Sequence, residues 1–217
     1  MQKKGRYPLF VPLLAGIALL GVAGLLVLLV LRNEAANRSQ TQGENGAPIV
    51  TSGQAAVGGP FSLVDQHGQT VSDTDFRGRY MLVYFGFTYC PAICPTRLQV
   101  MSGAMDALGE KAAQVQPVFI TIDPERDTPE VMAAYVKQFH PGLIGLTGTP
   151  EQIYAVAHQE YKVYYAKVED HDSAGGYTMD HLDAIFLMGP EGEFVTFFPP
   201  GTLPEQIAGR VEQALAR

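Results

Sequence analysis

The strongest pattern along the chain is an apolar run near its N-terminus. Residues 9–31 contain no charged side chain and consist mostly of Leu, Val, Ala, Gly and Ile. As a helix, this run would be roughly 34 Å long at about 1.5 Å per residue, enough to cross the ~30 Å hydrocarbon core of a bilayer. A cleaved signal peptide has a hydrophobic region of only about 7–15 residues and ends in a small-residue cleavage site. The sequence therefore predicts a retained transmembrane anchor rather than a cleaved signal.

The residues beside this run predict its orientation. Residues 1–8 carry three Lys and Arg residues, whereas Arg32 and Arg38 follow the run. The positive-inside bias then keeps residues 1–8 in the cytoplasm and sends the rest of the chain across the membrane. Residues 32–58 are small, polar and aperiodic, which is typical of a flexible linker. We therefore expect a bacterial inner-membrane protein whose domain, residues 59–217, lies in the periplasm.

The domain alternates predicted strands and helices. Short apolar or alternating runs predict strands, and apolar residues at three- and four-residue spacing predict helices. The predicted strands are 61–64, 69–71, 80–87, 115–122, 143–146, 161–168, 184–188 and 194–198. The predicted helices are 94–109, 128–140, one that begins at Thr149, and 204–215. This order predicts an α/β domain with a central sheet, in which functional residues follow the carboxyl ends of strands.

The predicted domain is acidic. The whole chain has a net charge of −7, and without residues 1–46 it keeps 10 Lys and Arg against 20 Asp and Glu, a net charge of −10. Proteins that bind nucleic acids rely on contacts between basic side chains and phosphates, so this charge argues against a nucleic-acid partner. It also disfavours contact with anionic lipid headgroups, so association with the membrane depends on the predicted anchor.

The chain has only two cysteines, and they stand close together. Cys90 and Cys94 follow the predicted strand 80–87, where a predicted helix begins. At positions i and i+4 of a helical turn, two Cβ atoms are roughly 5–6 Å apart on the same side. This spacing allows a disulfide, a redox-active dithiol or two sulfur ligands for a soft metal ion. A purely structural disulfide would close a very short loop and gain little chain entropy.

A metal site needs a further donor, and His181 is the candidate. It is predicted to lie in a loop between the polar residues 173–176 and the strand 184–188. If that strand is a neighbour of the strand 80–87, the imidazole can reach both sulfurs. Two thiolates and one imidazole suit Cu(I), whereas zinc would require a fourth ligand, for which Asp180 is a candidate.

The other four histidines have simpler interpretations. His67 is predicted in a solvated hairpin turn, His140 at the end of a helix, and His158 within a helix as a packing or surface residue. His171 belongs to the acidic segment 169–172, for which a solvated loop is favoured over a weak cation site.

Four blocks of the sequence carry a resemblance to a known family. The blocks are Phe85–Pro95, Thr121–Pro129, Gly145–Gly148, and Asp180–His181 together with Leu187–Gly192. They resemble the Sco/SenC family of membrane-anchored copper proteins, which are needed to assemble cytochrome c oxidase. The resemblance covers roughly residues 58–215 and its blocks appear in the family's order. Such a match is far more specific than one short motif.

The resemblance implies a thioredoxin-like fold and a copper site formed by Cys90, Cys94 and His181, with the two cysteines also able to form a disulfide. The resemblance implies copper, for which the donor set favours Cu(I), with Cu(II) as the open alternative. The implied partners are cytochrome c oxidase subunit II, at its binuclear copper centre, and an upstream periplasmic copper donor. The family usually has an acidic residue where this chain has Ala92, so any role of that acid is open here.

A charged block and a pair of methionines are each predicted to have a structural role. Asp123, Arg126 and Asp127 match a family block, and we expect a turn and a helix start in which the arginine balances the carboxylates; contact with a partner is the alternative. Met101 and Met105 lie on the apolar stripe of a predicted helix, which favours a core role over a copper relay.

Three functional hypotheses follow from these residues. The leading hypothesis is a copper metallochaperone for subunit II that is not a turnover enzyme. The second is a periplasmic thiol–disulfide oxidoreductase in which Cys90 and Cys94 reduce the cysteines of subunit II. The third is a thiol peroxidase, with Cys90 as the peroxidatic thiol and Cys94 as the resolving thiol.

Overall fold

The computed structural model describes residues 57–171 and 175–216. The predicted N-terminal segment 1–8, the predicted anchor 9–31 and nearly all of the predicted linker 32–58 lie outside the described residues. Within the described ranges, no helix combines the length and the apolar character needed to cross a membrane.

The described residues form nine strands. They are β1 Ser62–Asp65, β2 Thr70–Ser72, β3 Tyr80–Gly86, β4 Val115–Thr121, β5 Ile144–Thr147, β6 Tyr165–Glu169, β7 Tyr177–His181, β8 Ile185–Met188 and β9 Phe194–Phe198. Seven of them form a mixed sheet in the order β2-β1-β5-β4-β3-β8-β9, and β6 pairs with β7 in a separate two-stranded sheet. The predicted α/β domain with a central sheet is therefore confirmed.

The helices accompany this sheet. They are α1 Ile93–Leu108, α2 Pro129–Val136, α3 Pro150–Tyr154 and α4 Pro204–Leu215. Short 3-10 segments lie at Asp73–Phe76 and Gly109–Gln114, and a π-helical segment, Ala155–Glu160, continues α3. The predicted starts at Thr128 and Thr149 are confirmed, because each side chain accepts a hydrogen bond from a backbone N–H of the first turn.

The central strands bring two segments that are distant in sequence to the same end of the sheet. β3 runs parallel to β4 and antiparallel to β8, with Tyr84 opposite Ile185. The carboxyl end of β3, where the cysteine loop begins, therefore lies beside the amino end of β8. This confirms the condition under which His181 was expected to reach the sulfurs.

The predicted strand 161–168 begins too early. Tyr161 is only 2 % exposed, because it follows the π-helical segment and packs in the core. Lys162 then adopts a left-handed backbone conformation, with φ of 58°, which interrupts an extended chain. The observed strand, β6, starts at Tyr165.

Two other boundaries differ from expectation. The helix predicted to end near residue 140 ends at Val136, and hydrogen-bonded turns continue the chain to Phe139. His181 was expected in a loop that opens the strand 184–188, but it is the last residue of β7. The prediction failed because β7 pairs only with β6 and carries a mixed polar and apolar sequence.

The core role predicted for two methionines is confirmed. Met101 and Met105 are 1 % and 2 % exposed on α1, and both belong to the main hydrophobic cluster. The cluster also contains five of the seven residues of β3 and four of the seven residues of β4, so α1 packs against the sheet directly after the cysteine loop.

Candidate metal centre

The two cysteines lie where β3 passes into α1. Cys90 is in the loop after β3 and is partly exposed, whereas Cys94, the second residue of α1, is fully buried. The backbone N–H of Cys94 donates a hydrogen bond to Cys90 Sγ over 3.3 Å. Both cysteines are free thiols in this structure. The start of the helix therefore holds the two sulfurs on one side of the same turn.

The environment gives the two thiols very different pKa values. The pKa of Cys90 is lowered to about 5, mainly by the hydrogen bond with the Cys94 thiol and further by backbone N–H groups of residues 92–94, while burial acts in the opposite direction. The pKa of Cys94 is raised, because its thiol donates to Cys90 and is buried. In the metal-free protein Cys90 is therefore the thiolate and Cys94 the protonated partner.

His181 lies beside the buried sulfur. Its Nε2 is 3.8 Å from Cys94 Sγ, and its Nδ1 is 3.1 Å from the carbonyl oxygen of Leu182. If Nδ1 carries the proton and donates it to that carbonyl, the lone pair of Nε2 faces the sulfur, which is the tautomer a metal requires. The ring meets Tyr84 and Phe87 edge-on, with centroid distances of 6.2 and 6.1 Å.

The distance between these two donors fits a bound metal ion. With bonds of about 2.3 Å to sulfur and about 2.0–2.1 Å to nitrogen, the values for zinc, a trigonal angle of ~120° places the two donors about 3.8 Å apart. The observed separation is 3.8 Å. Across the described ranges, no three His, Cys, Asp or Glu side chains already form a closed metal cluster. The geometry thus leaves Cys90 as the donor that would complete the set.

Two neighbours shape the pocket around Cys94. The hydroxyl of Tyr84 donates to Cys94 Sγ over 3.7 Å, and burial raises the pKa of this tyrosine, so it remains a donor. Gly86, the last residue of β3, lets the strand approach closely, because a Cβ at this position would lie 2.8 Å from Cys94 Sγ.

A buried carboxylate fixes the loop that leads to Cys90. Asp127 is fully buried and accepts hydrogen bonds from the backbone N–H and hydroxyl of Thr88 and from the hydroxyl of Thr121. Burial raises the pKa of Asp127, and the hydrogen bonds act against this shift. This supporting role was not predicted, because Thr88 and Asp127 come together only in the folded chain.

The arginine of the same block has the expected partner. Arg126 forms an ion pair with Asp123, as predicted for a residue that balances carboxylates. It also donates a hydrogen bond from Nη1 to the carbonyl oxygen of Tyr177, over 3.1 Å, which the sequence did not indicate.

The remaining predicted residues lie apart from the sulfurs. Asp180 is exposed and, as the neighbour of His181 on a strand, points to the opposite face, so it is not placed as a fourth zinc ligand. His67 and His171 are exposed, as expected. His140 accepts a hydrogen bond from Gly142 in a turn beyond α2, and His158 stacks on Tyr154 at a centroid distance of 4.4 Å.

Comparison with known proteins identifies the family. The SCO1/SenC family model matches residues 50–216. The chain belongs to the SCO1/SenC family. The resemblance inferred from the four sequence blocks is thereby confirmed.

Relatives within the SCO1/SenC family occur in bacteria and in mitochondria. The chain is 48 % identical over 149 residues to SCO1 homolog 1, mitochondrial, of Arabidopsis thaliana, covering 68 % of this chain and 44 % of that protein. It is 38 % identical over 189 residues to the SCO2-like protein of Rickettsia felis, covering 87 % and 89 % of the two chains. The chain spans 63 % of sco1 from Schizosaccharomyces pombe, so several relatives are considerably longer.

Solved Sco structures share the fold. The structure of Arabidopsis thaliana ScoI with copper bound matches with a TM-score of 0.70 and 42 % identity, over 74 % of this chain and 99 % of that chain. The structure of Bradyrhizobium japonicum ScoI with copper bound matches with a TM-score of 0.67 and 44 % identity, over 73 % and 99 %. The thioredoxin-like fold with a central mixed sheet is therefore confirmed for the domain.

The acidity of Cys90 can be measured by alkylation. In the reduced, metal-free protein, the rate of Cys90 modification by iodoacetamide should rise with pH through a midpoint at about 5 and then level off, since the thiolate is the reactive form. Peptide mass spectrometry distinguishes Cys90 from Cys94. Cys94→Ala removes the largest cause of the low pKa and should move the midpoint upward. A native midpoint near pH 8–9 would contradict this electrostatic description.

The close approach at Gly86 can be tested by adding one methyl group. Gly86→Ala should lower the free energy of unfolding by about 1–3 kcal/mol, because the new Cβ overpacks the space beside Cys94 Sγ. Gly209→Ala is the matched control: among the described residues, no atom outside the adjacent residues and the surrounding helix backbone lies within 4 Å of its added Cβ, and alanine is favoured in a helix, so stability should hold or rise. Urea unfolding measures both, and equal stability for the two variants would contradict the steric account.

Proposed function

We propose that this protein is a membrane-anchored copper metallochaperone for the binuclear copper centre of cytochrome c oxidase subunit II. Copper is its cargo and is bound by Cys90, Cys94 and His181. The 3.8 Å approach of His181 Nε2 to Cys94 Sγ carries the proposal, because it joins the two distant parts of the ligand set. The Arabidopsis and Bradyrhizobium ScoI structures, both with copper bound, support copper as the metal.

The donor set favours Cu(I). Thiolates and an imidazole are soft or intermediate ligands, and Cu(I) accepts low coordination numbers. Since Cys90 is already a thiolate at neutral pH, binding requires loss of the proton of Cys94, and metal uptake therefore releases a proton. Oxidation of both sulfurs to a disulfide removes two electrons and two donors, which links copper binding to redox state.

The position of the donors suits delivery to another protein. Tyr89, Ile93 and Leu182 are neighbours of the three donors in sequence and are 50 %, 55 % and 49 % exposed. Exposed apolar side chains grouped around a site are typical of a contact surface. Subunit II would meet the protein there, after an upstream periplasmic donor has supplied the copper.

The proposed location follows from the sequence. The apolar run 9–31 would anchor the protein in the bacterial inner membrane, with residues 1–8 in the cytoplasm and the domain in the periplasm. Ala92 is exposed at the start of α1. Without the acidic side chain usual in the family, this position adds no charge beside the cysteines.

A thiol–disulfide oxidoreductase is the second candidate, and the contrast between the two thiols favours it. The Cys90 thiolate would attack a disulfide of subunit II and form a mixed disulfide, releasing one thiolate of the substrate. Cys94 would then lose its proton, attack Cys90 Sγ and release the second substrate sulfur. Subunit II gains two electrons and this protein ends with a Cys90–Cys94 disulfide. Reduction of that substrate in the absence of copper distinguishes this activity from copper transfer.

Copper titration of single variants tests the ligand set. Under anaerobic reducing conditions, the protein should bind one Cu(I). Cys90→Ala, Cys94→Ala and His181→Ala should each lower the affinity by roughly 100-fold or more, since even loss of an outer-shell partner costs about 10–100-fold. Competition with a chromophoric Cu(I) chelator measures these affinities.

His67→Ala is the matched control for the histidine variant. His67 is exposed in the turn between β1 and β2, so its removal should leave the affinity unchanged. The proposed third ligand is wrong if His181→Ala binds Cu(I) as tightly as the native protein.

A further inference from the structure

The hairpin that carries His181 is not part of the central sheet. Within the part of the chain that the structure describes, β6 and β7 pair only with each other, in a register that runs from Tyr165 opposite His181 to Glu169 opposite Tyr177. Backbone hydrogen bonds therefore do not fix this hairpin to the seven-stranded sheet. The position of the imidazole depends on side-chain contacts between the hairpin and the rest of the domain.

One face of the hairpin makes these contacts. Tyr177, Met179 and His181 alternate along β7 and share a face, and all three are partly buried. Met179 packs against the hydrophobic core. The opposite face is open to solvent, where Asp180 of β7 and Ala166 and Val168 of β6 are exposed. His181 is thus held from the inner face.

Arg126 is the centre of the contacts at the beginning of β7. Its guanidinium carbon lies 3.7 Å from the centroid of the Tyr177 ring, and its Nη1 donates to the carbonyl oxygen of the same residue over 3.1 Å. Its Nε forms an ion pair with Asp123, which also accepts a 2.9 Å hydrogen bond from the hydroxyl of Tyr177. Ring, hydroxyl and carbonyl of one tyrosine are therefore all held by this ion pair.

The same guanidinium reaches the cysteine loop. Its carbon is 4.6 Å from the ring centroid of Tyr89, the residue before Cys90. The Arg126 side chain is 13 % exposed and that of Asp123 is 3 % exposed, so the contacts are largely shielded from water. A planar guanidinium can stack on aromatic rings while it hydrogen-bonds in its own plane, which the ammonium of lysine cannot do. Arg126 thus connects the segment after β4, the His181 hairpin and the Cys90 loop.

The other end of the hairpin has a separate attachment. Arg97 on α1 forms a 2.9 Å ion pair with Asp183, two residues after His181, and its Nη2 donates to the carbonyl oxygen of Phe198. The chain after His181 is therefore tied to the helix that carries Cys94. The beginning of β7 is attached through the shielded Arg126 contacts and through a solvent-exposed ion pair between Lys167 and Glu125.

We propose that Arg126 is a positioning residue for the copper site, which holds Tyr177 so that His181 is aligned with Cys94 before a metal ion arrives. The inference rests on the proposed copper site. Arg126 itself contacts neither of the two sulfurs nor the imidazole nitrogen that would bind the metal. Its consequence is that loss of Arg126 weakens copper binding through displacement of the histidine.

Two variants test this role without leaving Asp123 unpaired. Arg126→Lys keeps the positive charge but loses the planar stacking, and Tyr177→Leu removes the ring while the Arg126–Asp123 pair stays. In the metal-free protein, both should accelerate amide hydrogen exchange of residues 178–181 by about tenfold or more at unchanged midpoint of urea unfolding. Both should lower Cu(I) affinity by roughly 10–100-fold, the usual cost of an outer-shell partner.

A double variant separates positioning from general stability. If Arg126 acts through the imidazole, Arg126→Lys added to His181→Ala should cause little further loss of Cu(I) affinity. Arg77→Lys is the matched control, because Arg77 also forms an ion pair with an aspartate, Asp73. Arg77 precedes the amino end of β3, whereas the cysteine loop follows its carboxyl end. Arg77→Lys should change neither the hairpin exchange nor the affinity.

The outcomes are distinct for the two proposals. Native exchange rates and native affinity in both Arg126→Lys and Tyr177→Leu would overturn the positioning role, and so would a full additional loss of affinity in the double variant. If the native protein binds no Cu(I), the proposed function fails. The exchange measurement on the metal-free protein would still confirm or overturn the attachment of the hairpin by Arg126.

Discussion

The approach of the Cys94 sulfur to the His181 imidazole is the contact on which the site depends. The two residues are 87 positions apart in the chain, and they meet because β3 and β8 are antiparallel neighbours. β3 ends just before the cysteine loop, and β8 begins shortly after His181. The buried central strands thus set the distance between donors without contributing a ligand. A rigid sheet interior is suited to this task, because close-packed cores resist small displacements.

Hydrogen bonds and burial at the start of α1 give the two cysteine thiols different protonation states. The hydrogen bond to Cys90 and burial keep Cys94 protonated, while the Cys94 thiol and backbone N–H groups stabilise the Cys90 thiolate. A metal ion and a disulfide are alternative ways to satisfy the same two sulfurs, so the proposed copper carriage and the proposed thiol chemistry would compete for one site. The loop keeps its shape in the thiol form, because the buried Asp127 carboxylate holds Thr88 and thereby the segment before Cys90.

Elements with a strong local sequence pattern could be predicted, whereas elements whose position depends on tertiary contacts could not. The apolar strand β3, the capped helix starts and the cysteine spacing could all be predicted, since each depends on neighbouring residues. The β6–β7 hairpin could not, because its strands are short, largely exposed and paired only with each other. His181 could be selected by donor chemistry and family resemblance, but its distance from Cys94 follows from strand pairing. The contact of Arg126 with Tyr177 spans 51 positions and leaves no local signal.

X-ray absorption at the copper edge tests the central claim most directly. For the Cu(I)-loaded protein, the account predicts two sulfur donors and one imidazole nitrogen, and a spectrum of His181→Ala from which the nitrogen contribution is lost. A native spectrum with sulfur donors alone, or an unchanged spectrum in His181→Ala, would contradict it.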